Sequence, residues 1–302
     1  MAAVPETVAG YRVPRLAPGE EPPLVQPRPR SFADSWRELR SSKDLLRQMV
    51  RRDLATKHAG SMLGFLWSLL TPAMLVAVYA TVFWVMGFSP IKDSHGHGEY
   101  AHIPFALFFF AGLVLWNVFN AGLAGGTGSV VDAGYLVRKI YFPREILPLS
   151  VVLSGVVTFT FEFVVLLIFQ SALGHPPHWT VVIAIPVMAI VATFAYGCGL
   201  FLAAATVYFR DLKHFIVVLL QLLFWSAPII YDLSRVSSHP RAVQILLLNP
   251  LTPCLIAFRE SVLVGKVPGP WRLLYSAGIA VVTMLLGSLY FNRHERRMAE
   301  LV

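Results

Sequence analysis

Six long runs of apolar residues constrain the fold of this chain more than any other feature of its sequence. They cover residues 62–88, 103–121, 146–170, 180–208, 215–231 and 273–291. A helix needs about 20 apolar residues to cross the roughly 30 Å hydrocarbon core of a bilayer, and most of these runs reach that length. The sequence therefore predicts an all-α integral membrane protein, with six transmembrane helices in residues 62–302.

Charged residues are scarce and unevenly placed. They form 14% of the 302 residues, whereas soluble domains carry about 25%. If the N-terminus is cytoplasmic, 19 of the 25 Lys and Arg residues lie inside, and the outer segments hold only Lys92, Arg235, Arg241, Arg259, Lys266 and Arg272. This distribution follows the positive-inside rule. It predicts a multi-pass cell-membrane protein with both termini in the cytoplasm, whose basic charge contacts membrane lipids and not nucleic acid.

Two segments precede the first apolar run. Residues 1–30 hold seven of the 21 prolines and no apolar periodicity, so they are predicted to form a disordered cytoplasmic leader. Residues 31–61 alternate apolar side chains such as Trp36 with basic ones such as Arg51 and Arg52, which Asp53 follows. A basic amphipathic segment directly before a span is typical of helices that lie in the membrane interface.

The loop after the second run is predicted to contain a short cytoplasmic helix over residues 130–140. Ser129 is a suitable N-cap, Arg138 and Lys139 suit the negative end of the helix dipole, and Pro143 suits the first turn of the third span. Its apolar residues are suited to docking into a groove of a partner protein; a simple connector is the alternative. We interpret the glycines before it as a loose helix end, namely Gly122, Gly125, Gly126 and Gly128.

The segment between the fifth and sixth runs is predicted to enter the membrane from outside and to return. It contains two short apolar stretches, which are separated by Asn249-Pro250 and Thr252-Pro253. A seventh span here would place Arg259 and Glu260 in lipid, which is costly. Because irregular backbone at membrane depth must lie against protein or water, we expect two short helices that line the exit of a pathway.

Glu162 is the clearest carboxylate within a predicted span. A carboxylate there is expected to be functional or paired. We expect it to be protonated or hydrogen-bonded, with Tyr196 and Gln221 as candidate partners, and proton coupling is the alternative.

Aromatic residues are concentrated in two of the predicted spans. Sugars stack on aromatic faces, so these residues are candidates for a substrate path; core packing and an interfacial belt are the alternatives. The candidates are Trp67, Tyr79 and Phe83 in the first span, and Phe224, Trp225 and Tyr231 in the fifth.

No catalytic site, metal site or cofactor is predicted for this chain. It lacks the G-x-x-x-x-G-K-S/T nucleotide-binding motif, so the chain is not its own ATP-driven motor. His95-x-His97 is too loosely spaced and exposed to predict zinc. No Ser-His-Asp or paired-carboxylate arrangement stands out, so a membrane enzyme such as a glycosyl or lipid transferase is a weaker hypothesis than a transport subunit.

Five motifs along residues 32–297 resemble those of ABC-2 type polysaccharide and teichoic-acid exporter permeases. They are Arg52-Asp53-Leu54 with Gly60–Trp67 and Thr71-Pro72, then Leu136–Glu145, Tyr208–His214, Ala227–Tyr231 and Leu248–Pro253. The leader departs from the common pattern. Together, the leader and the residues of these motifs resemble those of actinobacterial exporters of cell-wall galactan.

The resemblance implies a homodimer bound to two separate ATPase subunits, which hold ATP and Mg, and a lipid-linked polysaccharide as substrate. It implies that the first and fifth spans form most of the channel, with gate helices in residues 232–270 that include Asn249, Pro250, Arg259 and Glu260. The ATPase stroke would reach the coupling segment, namely Val131, Asp132, Tyr135, Leu136, Arg138, Lys139, Tyr141, Phe142, Pro143 and Arg144. Small-molecule efflux and proton-coupled secondary transport remain alternatives.

Overall fold

The chain is helical along most of its described length. In this computed structural model, the structure describes residues 7–8, 11–12, 39, 41–57, 64–91, 99–139 and 142–301. The helices are α1 (Lys43–Lys57), α2 (Trp67–Val85), α3 (Phe105–Asp132), α4 (Gly134–Lys139), α5 (Ile146–Ala172), α6 (Ala184–Tyr208), α7 (Leu212–Ser226), α8 (Pro240–Leu248), α9 (Leu251–Arg259) and α10 (Pro270–Leu301).

Short elements complete the described chain. Three 3₁₀ turns cover Gly64–Leu66, Trp179–Ile183 and Leu233–Val236, and a π-helical turn, Glu260–Val264, continues α9. In the predicted leader, β1 (Thr7–Val8) pairs antiparallel with β2 (Tyr11–Arg12). The other residues of the leader lie outside the described ones.

Five helical segments are long and apolar enough to cross a membrane. They are α2, α3, α5, α6 with its preceding 3₁₀ turn, and α10 up to Glu295. Helices α8 and α9 meet at a bend of 97° and would together count as a sixth segment. The prediction of a multi-pass, all-helical membrane protein is therefore confirmed, with five or six candidate spans.

The fifth predicted span, residues 215–231, differs from the other five because only part of it is helical. Helix α7 has 15 residues, and Ala227 after it is extended with ψ of 143°. A residue before proline avoids the helical region of φ and ψ, so Pro228 ends the helix at this point. Ala227 donates the last helical backbone hydrogen bond, to the carbonyl of Leu223, and residues 228–231 continue without helical structure.

Contacts between helix ends define two ends of the bundle. At one end, which we call the α4 end, Asp132 pairs with Lys213 and Arg144 donates to the carbonyl of Glu295. At the other, the α8 end, Arg235 donates to the Ser89 carbonyl and Gln170 to the Val262 carbonyl. The α4 end is the side predicted to be cytoplasmic.

Helix α3 lies at the centre of the bundle, and its glycines are packing sites. A Cβ at Gly125 would lie 2.6 Å from Val151 Cγ1, and one at Gly126 would lie 3.0 Å from the Cα of Gly199. The helix continues through these glycines to Asp132. The interpretation of the cluster as a loose helix end is therefore wrong: the missing side chains let α5 and α6 approach the backbone of α3 closely.

A second close approach joins α6 to α10. A Cβ at Gly197 would lie 2.5 Å from the backbone nitrogen of Met284, and one at Gly287 would overlap the carbonyl oxygen of Gly197. Small residues at such crossings increase van der Waals contact between helices, which is a main source of helix association in lipid. Helices α3, α5, α6 and α10 thus form the tightly packed part of the molecule.

Candidate functional site

Four of the six aromatic residues predicted for a substrate path lie together between α2 and α7, which both pack against α3. The ring centroids of Tyr79 and Trp225 are 6.4 Å apart, and those of Tyr79 and Phe83 are 6.0 Å apart. Phe224 contacts Trp225 edge to face at 6.0 Å. Since Trp225 is 51% exposed, this aromatic cluster is accessible on one side of the bundle.

Helix α3 supports this cluster with its own aromatic residues. Tyr79 contacts Phe109 at 5.2 Å, Phe83 contacts Phe105 at 5.2 Å, and Phe224 contacts Trp116 at 5.6 Å. The other two predicted path residues lie away from this centre. Trp67 begins α2, and Tyr231 is half-buried in the non-helical segment that follows α7.

The exposed faces of α2 and α7 are mostly apolar. Exposed residues of α2 include Met74, Val78 and Val82, and those of α7 include Val218 and Leu222. Large contiguous apolar patches mark contact with lipid or with another protein. The aromatic cluster therefore opens onto a surface that is suited to a bilayer or to a second protein chain.

Arg259, one of the predicted gate residues, is completely buried inside the protein. Its Nε donates to the carbonyl of Phe108 at 3.1 Å, and Nη1 and Nη2 donate to the carbonyls of Pro228 and Ile229 at 2.5 and 2.6 Å. The guanidinium carbon lies 3.6 Å from the centroid of the Phe108 ring. Three backbone carbonyls, two of them in the segment after α7, thus receive donors from one side chain.

Gly112 creates the space for this guanidinium group. A Cβ at position 112 would overlap Nη2 of Arg259 and would lie 3.2 Å from the carbonyl oxygen of Ile229. The glycine therefore lets a charged side chain reach the backbone between α3 and the segment after α7. No sequence motif indicates this contact, because Gly112 and Arg259 are more than a hundred residues apart.

The other predicted gate residues lie at the two ends of α9. Asn249 Oδ1 accepts from the backbone nitrogen of Leu251 at 3.1 Å and so caps the start of α9 beside Pro250. Glu260 Oε1 accepts from Arg272 at 2.8 Å. The segment 232–266 begins with Asp232 donating its backbone N–H to Pro90 and ends with Lys266 paired to Glu99. Both contacts lie at the α8 end.

Glu162 accepts a hydrogen bond from Asn117, a residue that sequence reasoning did not select. The amide nitrogen of Asn117 lies 3.1 Å from each carboxylate oxygen of Glu162, which is 1% exposed. The suggested partners Tyr196 and Gln221 are not the ones found. Asn117 is a polar residue within the apolar second run, and this feature of the sequence could have pointed to it.

Helix α1 is attached to α5 by polar contacts. Ser150 Oγ donates to Asp53 Oδ2 at 2.6 Å, and Asp53 also pairs with Arg52 at 3.0 Å. Desolvation lowers the pKa of Lys57, and the carboxylates of Glu162 and Asp53 act in the opposite direction. Arg51 is exposed, and Trp36 lies outside the described residues.

The predicted coupling segment is divided between two helices. Val131 and Asp132 belong to the last turn of α3, and the separate helix α4 begins only at Gly134. Ser129 donates to Gly126 within α3 and does not cap α4. The prediction of one helix over residues 130–140 is therefore wrong. Residues 130–139 form the end of α3, a turn at Ala133 and the six residues of α4.

The α4 end presents exposed apolar and charged groups side by side. Tyr135 is 71% exposed and Leu136 is half-buried. Asp132 and Lys213 are 2.6 Å apart, which holds the end of α3 beside the turn between α6 and α7. Phe209 in that turn is exposed and lines an open hollow with Arg210. Together these residues, which we call the α4 face, have the composition of a docking site.

The remaining coupling residues anchor the start of α5. Phe142 and Pro143 are buried, and Arg144 donates to the carbonyl of Glu295 in α10. The backbone of Arg138 and Lys139 forms the last turn of α4, whereas Tyr141 lies outside the described residues. Among the described residues, no group of three or more His, Cys, Asp or Glu side chains could hold a metal ion, and His95 and His97 lie outside them.

Comparison with known proteins agrees with this arrangement. Residues 44–263 match the family model of ABC-2 type transporters. The chain is 31% identical over 264 residues to the O-antigen export system permease protein RfbA of Myxococcus xanthus, which covers 87% of this chain and 97% of the relative. It is 26% identical over 261 residues to the Klebsiella pneumoniae protein of the same name, with coverage of 86% and 95%.

A third relative has a different transport role. The polysialic acid transport protein KpsM of Escherichia coli is 21% identical over 250 residues, which cover 81% of this chain and 91% of the relative. The resemblance identified from the five sequence motifs is thereby confirmed. The family match covers most of the chain, and the multi-pass helical fold agrees with it, so this protein belongs to the ABC-2 type transporter family.

Proposed function

We propose that this chain is the membrane permease of an ATP-driven exporter that moves a polysaccharide out of the cytoplasm. Membership of the ABC-2 family and relatives named for O-antigen export and polysialic acid transport support this function. The observation that carries it is the accessible aromatic cluster between α2 and α7. Aromatic faces provide stacking surfaces for sugar rings without requiring one particular sugar.

The proposed substrate is a polymer attached to a lipid carrier, such as a cell-wall galactan or an O-antigen-like or teichoic-acid-like chain. The cluster borders exposed apolar surface on both α2 and α7. A lipid tail at that surface would remain in hydrocarbon while the sugars pass along the aromatic residues. The sequence resemblance to galactan exporters favours galactan among these polymers.

The proposed assembly contains two copies of this chain and two ATPase subunits in the cell membrane, with both termini in the cytoplasm. The exposed apolar faces of α2 and α7 suit contact with the second copy. The α4 face suits the ATPase, which would hold ATP and Mg, since this chain has no nucleotide-binding motif. Movement of α4 would be transmitted to α5 through Phe142, Pro143 and Arg144.

Helices α8 and α9 are proposed to control the outer opening of the path. Both ends of the segment that contains them are tied to the α8 end of the bundle. Its second half packs beside the non-helical continuation of α7, next to the aromatic cluster. A polymer that leaves between α2 and α7 would therefore pass this segment last.

Depletion of the protein in its native cell tests the function. A radiolabelled lipid-linked glycan is followed on each side of the membrane, and we expect polymer to accumulate inside while attachment to the cell wall falls. Arrest of polymer synthesis itself would favour an enzyme. If neither quantity changed, polysaccharide export would be the wrong function and small-molecule efflux would replace it.

A further inference from the structure

Helices α8 and α9 differ sharply in how they are held, although they are neighbours in the chain. All residues of α9 except Ile256 are buried, and so are Glu260, Ser261, Val262 and Leu263 in the π-helical turn. No residue of α8 is buried, and Ile245 and Leu248 are more than 60% exposed. Segments with few buried contacts are those that open locally at low free-energy cost.

Arg259 joins α9 to two other parts of the molecule. Its three hydrogen bonds reach Phe108 in α3 and Pro228 and Ile229 after α7. Because the guanidinium group has a planar fork of donors, all three contacts depend on one fixed position of the side chain. Displacement of α9 would break all three bonds at once and leave a buried charge without partners.

Hydrogen bonds from three neighbouring elements hold the two ends of this buried segment. Gln170 at the end of α5 donates to the carbonyl of Val262, and Thr180 before α6 donates to that of Ser261. Ser276 in α10 donates to the carbonyl of Pro250 at 2.8 Å, and its hydroxyl lies close to the Cys254 thiol. The segment 250–264 is thus fixed along its whole length.

Buried polar groups at the corner between α8 and α9 have fewer hydrogen-bond partners. The backbone turns by 97° at Asn249-Pro250. The side-chain nitrogen of Asn249 and the hydroxyl of Thr252 are buried, and neither has a hydrogen-bond partner among the described residues. On the α8 side of the corner, the part of the chain that the structure describes makes one side-chain hydrogen bond to α10, from the Tyr275 hydroxyl to the carbonyl of Leu248 at 2.8 Å.

We infer that Arg259 is a positioning residue that keeps α9 fixed to the core throughout transport, so that the outer opening forms by movement of α8 alone about Asn249-Pro250. This inference rests on the proposed export function. It divides the predicted gate into a static half, which contains Arg259 and Glu260, and a moving half that ends at Asn249.

A disulfide across the static half tests the first part of the inference. In the variant Ser276→Cys, the new thiol faces the native Cys254, and oxidation would tie α9 to α10. We expect the bond to form quantitatively in cells that express the full chain and export to continue at the wild-type rate. Loss of export that is restored by reductant would overturn the inference, and so would failure of the two thiols to join.

A matched link across the moving half tests the second part. Leu248→Cys and Tyr275→Cys are combined with Cys198→Ala and Cys254→Ala, and a short bis-maleimide then joins α8 to the same helix, α10. We expect export to fall to the level of cells that lack the protein, whereas each single cysteine treated with the same reagent keeps its export. Undiminished export by the linked protein would show that α8 need not move.

The role of Arg259 is tested by Arg259→Lys, which keeps the charge but loses the fork of donors. We expect normal membrane insertion and roughly tenfold slower export. Loss of one hydrogen bond to a charged group changes an equilibrium constant by roughly this factor. Addition of Ser276→Cys should restore export under oxidising conditions only. A variant that the disulfide does not rescue would contradict a positioning role.

The proposed function and this inference fail in different ways. If cells with the wild-type chain do not move glycan across the membrane, the proposed function is wrong. If they do, and export ceases when α9 is tied to α10, only the inference about α8 and α9 is wrong.

Discussion

Single polar residues inside the bundle are held by partners from other helices, and Glu162 with Asn117 is the simplest pair. Both carboxylate oxygens of Glu162 accept from one amide nitrogen. A carboxylate that is buried from solvent depends on such donors, since an unsatisfied buried charge is expensive. The pair therefore stabilises the contact between α3 and α5.

The variant Asn117→Leu should reduce the free energy of unfolding by about 1–3 kcal/mol, because the buried carboxyl group loses its donor. Thermal unfolding of the detergent-solubilised protein measures the change. The double variant Asn117→Leu with Glu162→Leu is the control, and it should be nearly as stable as wild type, since both partners are then apolar. Equal losses in the single and double variants would contradict this role for the pair.

Sequence reasoning identified Glu162 and Arg259 but not what they bind. A charge in an apolar run is conspicuous, so both positions could be selected from the sequence. Their partners could not, because backbone carbonyls carry no sequence signal and the contact of Arg259 depends on the missing side chain of Gly112. Asn117 was visible as a polar residue in a span, but nothing indicated which helix it faced.

Helices are brought together by glycines whose missing side chains admit a neighbouring backbone. Gly197 in α6 and Gly278 in α10 provide a matched pair of positions, because each lies within one of two helices that pack together. A Cβ at Gly197 would lie 2.5 Å from a backbone nitrogen, whereas one at Gly278 would have no atom within 4 Å. Their opposite surroundings predict opposite effects of the same substitution.

Gly197→Ala should therefore destabilise the protein, since α6 and α10 must separate to admit the methyl group. Gly278→Ala should stabilise it by about 0.5–1 kcal/mol, because alanine is the better helix former. Thermal unfolding of the two purified variants gives the comparison. Destabilisation by both, or by neither, would contradict the packing described for α6 and α10.

The starts and ends of helices were predicted well where apolar runs ended in polar loops, as for α5 and α6. The ends of two helices were predicted wrongly, and in each case residues of the sequence explain the difference. Helix α3 continues for eleven residues beyond the predicted end at residue 121, because its glycines are covered by neighbouring helices and not by lipid. Helix α7 ends at Ser226 because Pro228 forces Ala227 out of helical geometry.

At the scale of the whole molecule, the apolar faces of α2 and α7 are where we expect the proposed second copy to bind. Val78→Cys in α2 is expected to form a disulfide between two chains in oxidised membranes, observed as a dimer in non-reducing electrophoresis. Val282→Cys is the control, because it lies on an equally apolar and exposed face of α10. Dimers from the control alone would place the interface on α10.

The α4 face leads to a prediction about coupling to the proposed ATPase subunits. Reversal of charge with Arg138→Glu and Lys139→Glu should uncouple ATP hydrolysis from export, while the amount of protein in the membrane stays normal. Arg293→Glu, a charge reversal at an exposed residue near the α4 end, should leave both rates unchanged. Normal export by the double variant would contradict the assignment of α4 as the coupling helix.

The shortness of α7 has a consequence for the bilayer itself. Fifteen helical residues rise by about 22 Å, so α7 covers only about three-quarters of a 30 Å hydrocarbon layer. A bilayer responds to such hydrophobic mismatch by thinning beside the short helix. Polar sugars that move beside α7 would then cross a thinner apolar barrier than the one that surrounds the rest of the protein.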